Sequence, residues 1–144
     1  PASVPALALA CTFGPIGPYL VTADEIKEPH KLQLTLKVNG TVKQNFNSSD
    51  MAHKIPRCIE WVSSIHALEP GDILATGTNH RGLSSFQDGD VVELETESLG
   101  KLRFNVCDDL KRTWGRETRL DMQNKGAKEV TTPQLTGKYA PARS

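Results

Sequence analysis

The sequence predicts an α+β chain that is mostly β, a mixed-sheet roll carrying one substantial helix. Three observations lead there. Leu32–Val38 alternates strictly between apolar and polar residues and runs into Asn39-Gly40, the strongest short hairpin signal. Val91–Glu95 and Lys101–Cys107 are two further strand-like runs, separated by a turn at Leu99-Gly100. Only Ile55–Ser64 shows a convincing helical period, with Ile55, Cys58, Ile59 and Val62 on one face.

In chain order, Pro1–Cys11 differs in composition from the rest of the chain. It lacks the basic start and the long apolar core of a signal peptide, so it reads as incidental. Phe13–Pro18 holds two Gly/Pro pairs that force irregular backbone, and Tyr19–Val21 reads as a short strand. Thr22 and Glu25 have capping-box spacing for a single helical turn stopped by Pro29, which accounts for Asp24 and Glu25 without catalysis. Thr41–Phe46 is the returning arm of the hairpin. Pro56 suits the first turn of a helix that begins near Lys54. His53 and His66 are isolated and read as surface residues.

Leu68–Glu95 is the central stretch. Two turns, Glu69–Asp72 and Gln87–Asp90, each launch a short apolar run: Ile73–Ala75 and Val91–Leu94. Between the runs lie Thr76-Gly77-Thr78-Asn79-His80-Arg81-Gly82, almost without apolar content. A polar, glycine-bearing loop between strands is where scaffolds present groups to a ligand, although ordinary connections read similarly. Gly77 allows close backbone approach, while Thr76 and Thr78 supply hydroxyls that donate and accept. Beyond the strands, Arg112, Arg116 and Arg119 have near-helical spacing. They could grip a carboxylate, but a solvated or interface face is the simpler reading. From Asp121 the tail reads as an extended arm anchored by Leu135 and Tyr139.

Composition sets the outer limits. The 144 residues fit one domain, with about 11–107 as its core and 108–144 as a charged segment and arm. Seventeen basic residues balance 17 acidic ones, which argues against nucleic acid or anionic membrane recognised through bulk charge. No apolar run approaches the ~20 residues of a membrane span. Cys11, Cys58 and Cys107 form no C-x-x-C pair and read as small buried hydrophobes in a reducing, cytoplasmic setting.

Gly14–Ile26 (GPIGPYLVTADEI), Val38-Asn39-Gly40, Ser48-Ser49-Asp50-Met51, Leu68–Thr78 (LEPGDILATGT), Asp88-Gly89-Asp90 and Leu99-Gly100 occur in one order and spacing. Together they resemble the C-terminal half of the fumarylacetoacetate hydrolase family, from about Cys11 to Cys107. The resemblance implies that family's β-roll, and enzymes that cleave, isomerise, hydrate or decarboxylate small 2-oxo acids and acylpyruvates, as in aromatic-compound catabolism. It implies magnesium or manganese as cofactor, a hard cation able to share the charge of an enolate. It places Thr78 against the substrate carboxylate. Thr76 and Gly77 join the substrate-binding set on the loop's own chemistry. Arg81, where this chain departs from the family's usual Thr-Pro continuation, could offer a planar fork to a second carboxylate or simply point to solvent.

The resemblance also sets the metal carboxylates, a Glu-x-Glu pair and an Asp, upstream of the Gly-Pro segment. No acidic residue precedes Gly14, and Ala8 stands where many members have lysine. Neither metal ligands nor catalytic residues are therefore assigned to this chain. The expectation is an enzyme whose N-terminal half is missing or separately supplied, or a non-catalytic relative acting as a binding module. Exposed sheet edges would favour a homo-oligomer. Glu93, Glu95 and Glu97 mimic the Glu-x-Glu spacing, but alternate onto what reads as a solvated sheet face.

Overall fold

A computed structural model of the protein describes residues 14–128, 134–136 and 140. Its centre is a four-stranded antiparallel sheet: β1 (Gln33–Val38), β2 (Thr41–Asn47), β3 (Val91–Thr96) and β4 (Gly100–Asn105), in spatial order β2-β1-β3-β4. The mostly β expectation holds. The mixed sheet does not appear among the described residues, where every strand pairing is antiparallel.

The hairpin forms as its sequence dictates. Val38 pairs with Thr41, and Asn39 takes φ 51°, the left-handed conformation a primed two-residue turn requires. The ladder has one irregularity. Leu36 faces Gln44 and Lys37 faces Val42, so Lys43 is an extra residue on β2, a bulge.

Cross-strand register gives the sheet two unlike faces. Leu34, Leu36, Val38, Phe46, Val92, Leu94, Leu102 and Phe104 share one side, but only Val38 and Val92 among them are buried. On the other side Glu95 meets Lys101 at 3.4 Å and Glu93 meets Arg103 at 3.7 Å. Glu93 and Glu95 thus form a charge-paired sheet surface, and Glu97 lies just past the end of β3.

Helix α1 (Ile55–Ser63) has Pro56 in its first turn, close to the expected span. Its N-terminus is met by a histidine: His30 Nε2 accepts the Ile55 N–H at 3.1 Å. Ser48 is buried because its hydroxyl does two jobs, accepting from the Leu32 amide (2.9 Å) and donating to the Pro29 carbonyl (2.8 Å).

Several sequence expectations are corrected. Tyr19–Val21 and Ile73–Ala75 are not strands; their backbones join no ladder among the described residues, and Ile73 stays 74% exposed. The turn at Thr22–Glu25 is closed by the Glu25 amide on the Thr22 carbonyl, and it is Asp24 whose carboxyl takes the Thr22 side-chain hydrogen bond. Cys58 is only half-buried, and Cys107 is exposed because β4 ends at Asn105. A short helix, α2 (Arg119–Asn124), occupies the start of the expected arm, capped reciprocally by Thr118 and Asp121. Beyond it, Gln134 is buried and bridges to Trp114, while Leu135 is 55% exposed, so the anchor is one residue earlier than expected. Cys11, Ala8 and Tyr139 lie outside the described residues.

The candidate functional site

The segment from Leu74 to Leu83 crosses from α1 to the outer edge of β2, and its polar residues divide accordingly. Thr76 lines an apolar groove of 430 Å³ with His53, Cys58, Trp61, Val62 and Leu74. Gly77 turns the chain at φ 88°, a conformation that favours glycine, with open space where a side chain would be. Its role is therefore the turn itself; among the described residues nothing lies within 4 Å of a Cβ there.

Past Gly77 the loop is fastened to β2. Gln44 Nε2 donates to Thr78 Oγ1 at 3.1 Å and to the Asn79 carbonyl. Asn79 in turn holds the loop's own shape, its Oδ1 accepting the Arg81 amide at 3.0 Å, and its Nδ2 reaching Asp50 Oδ2 at 3.4 Å. Gly82 lies directly on the Lys43 carbonyl and the Gln44 side chain, where a Cβ has no room. The Arg81 and Leu83 carbonyls accept the Leu120 and Arg119 amides, tying the loop to the start of α2.

These contacts frame a 550 Å³ groove walled by β2 and α2, lined among others by Lys43, Gln44, Asp50, Asn79 and Arg81. Thr78 and Arg81 are both exposed, and Thr78 adjoins the groove through Gln44. Of the sequence-predicted set, Arg81 lines this groove, Thr78 stands beside it on Gln44, and Thr76 lines the other. Sequence reasoning missed Gln44 and Gly82. Gln44 lies 34 residues from Thr78, and no local pattern joins them.

The arginines after β4 do not line up as a carboxylate grip. Arg112 holds Asp108 through two bonds of 2.9 and 3.1 Å, and Arg116 holds Asp90 at 2.7 Å. Lys111 does the same for Asp88 at 2.7 Å. Lys111 and Arg116 thereby tie the segment to the turn before β3, while the Arg112–Asp108 pair lies within the segment itself. Burial pushes the Asp90 carboxyl up, but bonds from Arg116, the Gln87 amide and Asn39 outweigh it and hold it below its ordinary value. The Arg112 guanidinium beside Asp108 holds that carboxyl down at about 2, with the Arg112 and Leu110 amides adding to the effect.

Among the described residues, no three His, Cys, Asp or Glu side chains converge as a metal-ion shell. A divalent cation needs several oxygen ligands at once. The described residues therefore do not by themselves fit the metal expected for the family.

A mostly β antiparallel sheet with a polar loop strapped across its edge defines a scaffold of loop-borne chemistry, and known proteins share it. The chain belongs to the fumarylacetoacetate hydrolase family, matching the group described as "Fumarylacetoacetate (FAA) hydrolase C-terminal" over residues 4–107. It is 42% identical over 91 residues to maleylpyruvate hydrolase from Aquipseudomonas alcaligenes, covering 63% of this chain and 31% of that protein. It is 44% identical over 96 residues to a mitochondrial oxaloacetate tautomerase from Rattus norvegicus, covering 62% of this chain and 30% of that protein. Among solved structures it resembles maleylpyruvate hydrolase from Sphingobium, at TM-score 0.61 and 35% identity, over 63% of this chain and 34% of the other. A second structure of that enzyme contains manganese(II) and pyruvate. The match to these two curated relatives covers about a third of their length. No described helix is long and apolar enough to cross a membrane.

Proposed function

We propose that this chain supplies the C-terminal part of a metal-dependent enzyme acting on small 2-oxo acids or acylpyruvates, by C–C bond hydrolysis, isomerisation, hydration or decarboxylation. One observation carries the reading. The loop that holds Thr78 and Arg81 is seated on β2, with Arg81 lining the groove and Thr78 exposed beside it, hydrogen-bonded to the groove residue Gln44. A hydroxyl donor and a planar guanidinium suit a carboxylate. In this reading Thr78, with Gly77 giving unobstructed access, takes the 2-oxo carboxylate, and Arg81 a more distant anionic group. Thr76 belongs to the same loop but faces α1, so its part is to hold the loop rather than the substrate. The pyruvate and manganese in the Sphingobium relative support the substrate class and the cofactor.

Magnesium or manganese would bind carboxylates supplied from outside the described residues, by another segment or another chain. Residues 1–144 then act as one domain within a cytoplasmic homo-oligomer or a larger assembly. A second reading is a non-catalytic subunit or binding module, which would need no metal carboxylates.

Titrating magnesium into the chain, with and without the N-terminal half of a family relative, tests the two. The first reading expects the added half to create tight binding and chelator-sensitive turnover of an acylpyruvate or oxaloacetate. Binding and turnover that stay absent in the folded pair favour the module.

A further inference from the structure

We propose that Gln44 is a positioning residue, whose carboxamide sets the direction in which the Thr78 hydroxyl donates and so tunes the loop's affinity for a carboxylate. This role rests on the reading of Thr78 as the carboxylate contact and concerns the same groove.

The arrangement begins in the strand. Lys43 has no opposite number on β1, and a bulge of this kind bends its strand and re-aims the neighbouring side chain. Gln44, the next residue, reaches out of the sheet to Thr78 and Asn79. At Asn79 its partner is a backbone carbonyl, which only accepts. The amide end facing the loop is therefore NH2 and not oxygen, an orientation fixed by chemistry rather than by choice of flip.

One hydrogen of that NH2 goes to Asn79 and the other to Thr78 Oγ1 at 3.1 Å. Thr78 is thus the acceptor in this pair. Its single O–H proton has no acceptor among the described residues and must point away from Gln44. A hydroxyl arranged in this way meets an incoming carboxylate as a donor and need not first turn. The neutral amide imposes this polarity without placing a negative charge beside the anion. Removing it leaves a free rotor whose ordering would have to accompany binding.

The experiment compares wild type, Gln44→Met, Thr78→Val and the double variant in the active assembly containing this chain. Pyruvate is the probe, its dissociation constant is measured, and the Gln44 side-chain amide is followed by NMR in 15N-labelled protein. Gln44→Met is expected to weaken pyruvate binding about tenfold, the scale of one hydrogen bond. In the Thr78→Val background the same change is expected to cost less than twofold, because the group it acts through is gone. Thr78→Val should also move the Gln44 amide resonances.

Equal losses in both backgrounds would make Gln44 a plain anchor of the loop and overturn the proposal, as would Gln44 resonances that ignore Thr78→Val. Failure of the underlying reading looks different: Thr78→Val then leaves pyruvate affinity unchanged while the Gln44 resonances still move. If Gln44→Met does not fold, Gln44→Asn keeps the polarity but withdraws the donor by one methylene, and the same cycle is read with it.

Discussion

Asn39, at the tip of the first hairpin, donates its side-chain amide to the carboxylate of Asp90 at 2.9 Å, across 51 residues of sequence. The Asn39 side-chain oxygen accepts the Val91 amide at 2.9 Å, so one turn residue closes its own hairpin and fixes the start of β3. Asp90 completes the junction by accepting from the Gln87 amide at 2.9 Å and from Arg116 at 2.7 Å.

Asp90→Asn is therefore expected to destabilise the protein although it keeps the shape. One carboxylate oxygen becomes an NH2 that faces either Asn39 or the Gln87–Arg116 pair, a donor set against donors. With the side chain only 2% exposed, water cannot relieve the conflict. The expected loss is about 1–3 kcal/mol. Urea unfolding checks it, and a midpoint unchanged from wild type would show that the junction carries no weight.

Asp108 gives a pH prediction with a definite sign. Its carboxyl is held at about 2, below its ordinary 3.8, so the folded state binds that proton less readily than the unfolded chain. The stabilisation from its Arg112 contact is complete above the unfolded value and is lost as pH falls from about 4 towards 2. Carboxyl-carbon NMR should find the Asp108 midpoint near the lower figure, and Asp108→Asn should flatten that part of the stability curve. A midpoint close to 3.8 would mean that the arginine pair does not persist in solution.

Legibility in the sequence depends on how local each feature's causes are. The Asn39-Gly40 hairpin and the Pro56 helix start are written in a few adjacent residues, and both appear where expected. Ile73–Ala75 has strand composition, but a strand is a relation to a partner, and none is there among the described residues. Arg116 reads as part of a solvated face because its aspartate, Asp90, lies 26 residues away at a turn whose placement only the fold decides, whereas Arg112 pairs locally with Asp108. The capping pair Thr118 and Asp121 is readable from spacing alone, yet is masked by the run of charge around it. At the site, the loop is legible from its polarity and its glycines. The strand residue that orients it is not, because the bulge at Lys43 exists only in the paired register.

On the proposed reading, Arg81 is expected to separate two classes of substrate. Its amide and carbonyl are both used, by Asn79 and Leu120, so the backbone is fixed while the side chain stays exposed at the groove. Arg81→Gln in the active assembly is expected to raise KM for a dicarboxylic 2-oxo acid about tenfold and to leave a monocarboxylic one within twofold. That is the scale of one charge-assisted hydrogen bond. An equal effect on both would move Arg81 out of substrate recognition.

Gly82 tests whether the strapping of the loop onto β2 matters for the site at all. A Cβ there would land on the Lys43 carbonyl oxygen and the Gln44 side chain. The carbonyl is main chain at a bulge and cannot step aside without disturbing the β1–β2 ladder, so the loop has to lift instead. Lifting lengthens the 3.1 Å contact between Gln44 and Thr78 and loosens the ties from Arg81 and Leu83 to α2. Gly82→Ala is thus expected to lower stability by about 1–3 kcal/mol, the usual cost of overpacking. It should weaken pyruvate binding as well, although Gly82 has no side chain to contact a ligand. Gly14→Ala is the control, since none of the described residues lies within 4 Å of a Cβ at that position. If Gly82→Ala matched that control in both urea midpoint and pyruvate affinity, the loop would be free of β2 in solution, and the orientation of Thr78 would need another cause.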